Sequence, residues 1–257
     1  MDTSVIEPRR LKQEIWLVLG LSLGQSAVYS IISLSAKLTA GKPLAQQMST
    51  LNSSQSVRPY LDLTYQLTGI VFTIVPALLA IWLLAAQVPN VRAALGLDGR
   101  QPGYDVLAAL GLTALIGIPG LGLYYVGRAL DLTTTIVPAN LNDYWWTVPV
   151  LILQAVKNAF LEEVVAVGYL VTRLKQLNWP PAAQVAASAL LRGSYHLYQG
   201  IGPFVGNAVM GVVFAEWFRR RQRVMPLFLA HTLLDVFAFV GYAALRHLGL
   251  LDTLGLT

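Results

Sequence analysis

Val148-Pro-Val-Leu-Ile-Leu-Gln-Ala-Val-Lys-Asn-Ala-Phe-Leu-Glu-Glu-Val-Val-Ala-Val-Gly-Tyr-Leu170 is an apolar run with two adjacent carboxylates, Glu162 and Glu163, in its second half. Its length and apolarity fit a membrane helix, where a single charge costs about 3 kcal/mol on insertion scales. Some interaction must offset a pair of them, and chemistry is the first candidate. Tyr144-Trp145-Trp146 stands just ahead of the run, as aromatic belts do at a membrane interface.

The rest of the chain has the same character. Of 257 residues, 55% are hydrophobic and 12% charged, against roughly a quarter charged in soluble domains. The expected class is an all-α, multi-pass transmembrane helical bundle of one domain, 1–257. About seven membrane helices are expected, at 15–36, 63–87, 106–127, 148–170, 182–198, 204–218 and 226–245. Those at 15–127 read as accessory helices, and 144–245 carries the chemistry. The segments 37–60, 91–105 and 131–143 read as polar connections. The start, 1–14, carries Arg9, Arg10 and Lys12 ahead of an uncharged run and reads as a retained first span, since a cleavable signal has a shorter apolar core.

The net charge of +5 is expected to reflect cytoplasmic loops, and no nucleic-acid partner is implied. With seven spans and a cytoplasmic N-terminus, inner segments hold Arg9, Arg10, Lys12, Arg92, Arg100, Arg173, Lys175, Arg219, Arg220, Arg221 and Arg223, and outer ones Lys37, Lys42, Arg58, Arg128 and Arg246. That distribution favours the N-terminus inside, at the cell membrane. Without cysteine there is no disulfide, thiolate metal site or cysteine nucleophile.

The other conspicuous polar groups within apolar runs are Lys157, Asn158, Arg192, His196, His231 and Asp235. Arg192 and His196 are four residues apart, as are His231 and Asp235, so each pair shares a helix face. Adjacent residues on a helix point about 100° apart, which splits the glutamates: Glu162 is expected to do chemistry and Glu163 to be held by a structural partner. A carboxylate beside a histidine in a wet membrane pocket can take a proton from water, and a second histidine can donate to a developing oxyanion. That combination suits hydrolysis of an amide.

Glu162-Glu163, His196 and His231-x-x-x-Asp235 resemble the three motifs, E-E-x-x-x-R, F-x-x-x-H and H-x-x-x-N/D, of the CAAX protease and bacteriocin-processing family of intramembrane proteases. The resemblance covers about 144–245. It implies that Glu162 with His196 activates water, that His231 and Asp235 serve the oxyanion, and that the substrate is a membrane-embedded or lipidated peptide or protein. Two positions depart from the pattern. The first motif's arginine falls at Val167, and the second motif's phenylalanine at Arg192, so Arg192 is expected to supply the cation for Glu163. In the third motif an ionised Asp235 cannot donate, and it is expected to orient His231.

No cofactor is implied, although Glu162, His196 and His231 leave a divalent metal such as zinc open. Two other functions compete: a catalytically silent membrane scaffold or regulator, suggested by Val167, and a proton-coupled transporter, for which no repeat of two halves is visible. Upright helices place Glu162, His196 and His231 at different depths, so convergence requires tilt or a helix starting outside the bilayer.

Overall fold

The computed structural model describes residues 7–251. The elements in order are α1 (Pro8–Gly20), α2 (Leu23–Leu38), β1 (Met48–Ser53), α3 (Pro59–Ala85), the single turn α4 (Val91–Ala94), α5 (Pro102–Ala129), β2 (Thr135–Asn140), α6 (Thr147–Glu162), a π-helical stretch (Glu163–Tyr169), α7 (Leu170–Gln176), α8 (Pro181–Ser194), a 3-10 turn (Leu197–Gln199), α9 (Ile201–Arg221) and α10 (Met225–His247). The polar start read at 1–14 is described only from residue 7, and 1–6 lie outside the described residues.

A helix stands at each of the seven expected places, but they are not seven equal crossings. Among the described residues four helices, α3, α5, α9 and α10, are long and apolar enough to cross a membrane, and a fifth is reached if the bent pair α1–α2 is taken as one span. The first expected span breaks at Ser22, bending by 52°, where the Ser22 hydroxyl donates to the Val18 carbonyl. The helix of the glutamates runs from Thr147 to Gln176 through its π-helical stretch. The fifth expected helix is the clearest departure. α8 has 14 residues, or ~21 Å, short of the ~30 Å hydrocarbon core, and His196 lies beyond its end.

α3 and α5 bury only 17% and 11% of their most apolar windows. Trp82, Phe72, Leu107 and Ile118 point outward, as lipid-facing side chains do. The connections 37–60 and 131–143 contain strand as well as loop: β1 and β2 pair in parallel from Met48↔Thr135 to Ser53↔Asn140. The bundle is therefore helical with one small sheet. Burial alternates along Thr135–Asn140, which gives this ribbon an inner face.

Contacts sort the bundle into two ends. At one, Arg173 donates to Glu14 and to the Leu83 carbonyl, and Arg223 reaches Asp98 and Asp105. This basic end gathers the N-terminus of α1, the C-termini of α3, α7 and α9 and the starts of α5, α8 and α10. The other end holds the sheet. There Lys37 donates to the Tyr198 carbonyl, Arg246 to the Leu141 carbonyl, and Thr133 bridges to Gly200.

Depths are reconciled by irregular ends rather than by tilt alone. The glutamate helix extends to Gln176, so Glu162 lies ~21 Å from its basic-end terminus, close to the ~22 Å from Pro181 to His196. α10 starts inside this end. Its first amides bond the carbonyls of Leu95 and Gly96, and Arg223 just before it is buried, which sets His231 at the same level.

The tightest helix pair is α8 with α9. A Cβ on Gly211 would stand 2.7 Å from the Ala189 Cα, so the backbones meet at that point. Gly211→Leu is expected to force the hairpin apart at a cost of about 1–3 kcal/mol, read as a lowered melting temperature of the purified protein in detergent.

Candidate active site

Glu162 ends α6 and Glu163 opens the π-helical stretch. Two hydroxyls bond carbonyls of this stretch: Ser188 on α8 donates to the Ala166 carbonyl at 2.7 Å and Thr172 to that of Gly168 at 2.6 Å. Residues Glu163–Tyr169 are all buried. π-helical segments of this kind often lie at functional sites.

Helix geometry separates the glutamates as expected. Glu163 has no exposed surface, and its Oε1 accepts from Arg192 Nη2 at 2.5 Å and from His231 Nδ1 at 2.7 Å. Glu162 lines a cavity, with Oε2 accepting from the Tyr195 hydroxyl at 2.6 Å and Arg192 Nη1 at 3.4 Å. Both donors use Oε2, which leaves Oε1 for a water.

Arg192 is fully buried in the last turn of α8, its guanidinium 5.4 Å from the Phe214 ring centre. It is the cation that the sequence required for Glu163, and it reaches both carboxylates. Val167, where the motif's arginine falls, is buried among apolar residues.

His196 occupies the turn after α8, with Nδ1 2.9 Å from the Arg192 carbonyl. A carbonyl only accepts, so Nδ1 carries the hydrogen and Nε2 is left as an acceptor. His231 also donates from Nδ1, to Glu163, while its Nε2 stands 3.9 Å from Glu162 Oε2 and 3.8 Å from Asp235 Oδ1. The hydrogen bond that fixes His231 therefore comes from Glu163, where the sequence pointed to Asp235. Asp235 instead accepts from Asn158 Nδ2 at 3.3 Å.

Glu162, His196, His231 and Asp235 all line one cavity of about 830 Å³, so three separated stretches of sequence meet. Lys157 lines it too, donating to Gln154 at 2.7 Å. Gln154 in turn donates to Gln66 of α3 at 2.9 Å. Sequence reasoning missed Tyr195 as the hydroxyl on Glu162. Its proximity to Arg192 and His196 was visible, but its reach depends on how α8 packs against α6.

Among the described residues no group of three or more His, Asp or Glu side chains is arranged to hold a metal ion, and Glu162 Oε2 faces a guanidinium.

Against known proteins, residues 144–237 match the family model described as Rce1-like, type II CAAX prenyl endopeptidase Rce1-like. That stretch of the chain is similar to this family. This is the family whose motifs the sequence resembles, and the matched stretch holds every cavity carboxylate and histidine named above. No curated protein and no solved structure matches the chain.

Removing Arg192 would leave Glu163 buried without its cation, a change worth about 3–5 kcal/mol. Arg192→Met is expected to lower the melting temperature in detergent, and Arg192→Met/Glu163→Gln to recover part of that loss because no unpaired charge remains.

Proposed function

We propose that the protein is an intramembrane endopeptidase in which Glu162 and His196 activate a water molecule against a peptide bond of a membrane-embedded or lipidated substrate. The observation that carries this reading is the convergence of Glu162, His196 and His231 on one polar cavity, with Arg192 and Tyr195 holding Glu162.

In the proposed reaction, water lies between Glu162 Oε1 and His196 Nε2. As its oxygen bonds the scissile carbonyl carbon, its proton passes to Glu162. The carbonyl oxygen gains negative charge and is met by His231, which donates from Nε2 in its imidazolium form. Glu163 orients that ring, and Asp235 and Asn158 frame the pocket beside it. Glu162 then returns the proton to the amine nitrogen as the C–N bond breaks, regenerating the carboxylate. The scheme needs no cofactor. The silent-scaffold reading rested on the missing arginine at Val167, and Arg192 meets that electrostatic need.

We further take the basic end as cytoplasmic, which sets the N-terminus inside the cell membrane and follows from the sorting of arginines and lysines.

The test is hydrolysis of lipidated peptides by the purified protein in detergent, with products identified by mass spectrometry. Glu162→Gln and His196→Ala are each expected to lose about 10²–10⁴-fold in rate, the usual contribution of a general acid–base group, while melting near the unsubstituted protein. Undiminished turnover in both would sink the mechanism. Tyr195→Phe removes only one hydrogen bond to Glu162 and is expected to reduce kcat by a smaller factor.

A further inference from the structure

The cavity is one-sided. Its lining comes from α2, β1 and the residues just after it, the first half of α3, the second half of α6, the turn after α8 and the middle of α10. None comes from the basic end: no residue of α1, α4, α5 or α7 contributes, nor does the 219–225 junction. The path from Glu162 therefore runs away from the arginines, past Asn52 and Gln55, toward the end that holds the sheet.

A second feature is lateral. α2 is tied inward by the Ser30 hydroxyl, which donates to the Tyr195 carbonyl at 2.8 Å, and α3 is tied to α6 through Gln66 and Gln154. Between these two attachments the cavity wall consists of exposed residues, with Gln25, Ser26 and Tyr29 on α2 facing Tyr65 and Gly69 on α3. A Cβ built on Gly69 would meet nothing within 4 Å. Polar side chains exposed on membrane helices are costly unless they border water or a ligand, so this seam is a passage between bilayer and cavity.

We propose that the site serves the outer face of the membrane: it takes membrane-anchored polypeptides whose cleavable segment lies on that side, admitted between α2 and α3 in extended form. The proposal rests on the peptidase reading above and names its substrate class. Amide side chains suit such a guest. Gln25, Asn52, Gln66, Gln154 and Asn158 all line the cavity, and each amide carries both donor and acceptor capacity for an unwound backbone. A helical segment keeps its own N–H and C=O groups paired and has little to offer this wall. The lipid portion of a lipidated substrate stays in the bilayer outside the seam.

The absence of native cysteine makes sidedness directly measurable. Single-cysteine proteins, Gln55→Cys at the cavity mouth and Ala182→Cys at the exposed start of α8, are expressed in intact cells and treated with a membrane-impermeant maleimide. Gln55→Cys is expected to react in intact cells and Ala182→Cys only after permeabilisation. Val57→Cys, on the exposed loop outside the cavity, repeats the first arm without altering the lining. Any other pattern, found with both Gln55→Cys and Val57→Cys, overturns the proposal. Hydrolysis in detergent, where both ends are accessible, tests the peptidase reading separately.

Discussion

The Glu163 carboxylate, shut away from solvent between Arg192 and His231, is the interaction on which the rest of the structure depends. One oxygen accepts from a guanidinium on α8 and an imidazole on α10 while its own backbone belongs to the π-helical stretch. Three elements are thus fixed around a single atom. A buried ion pair contributes little net stability compared with apolar packing, but its geometry is exacting and the loss of either partner is expensive. Here the return is positional: the same guanidinium reaches Glu162, and the same carboxylate sets which nitrogen of His231 faces the cavity.

Much of this could be read from the chain, because membrane burial makes polar residues conspicuous. Glu162-Glu163, Arg192, His196, His231 and Asp235 stood out against apolar surroundings, and helix angles assigned separate roles to the two glutamates. The need of Glu163 for a cation pointed to Arg192 because the motif's position holds Val167. Hydrogen-bond partners were harder. Asp235 was paired with His231 by spacing on one helix, whereas the partner that wins comes from another helix, at 2.7 Å against 3.8 Å. Local periodicity sees neighbours along a helix and is blind to those across a packing interface, which is also why Tyr195 escaped notice.

Boundaries were the other weak point. Composition marks where a chain is apolar, not where a helix stops, so the expected helix runs to 198 although the turn holding His196 begins at 195. The connections at 37–60 and 131–143 looked like plain loops because a parallel pairing between residues some 87 positions apart leaves no local trace. That ribbon and the basic cluster around Arg223 mark opposite ends of the bundle. Arg223 joins Asp98 and Asp105, tying the α9–α10 junction to the start of α5, so the basic end is stitched shut while the other end stays open over the cavity.

The π-helical stretch has a consequence for the spacing of the whole helix. Upstream of it Glu162 must face the cavity, and downstream Arg173, with no exposed surface, must meet Glu14, Gln87 and the Leu83 carbonyl. The wide turn holds the residue that brings both demands into phase. A chain one residue shorter there would close an ordinary α-helix and swing every later side chain by about 100°, so that cavity carboxylate and structural anchor could no longer be satisfied together. In that sense the stretch works as a vernier, setting the angle between the cavity-facing half of the helix and its mooring.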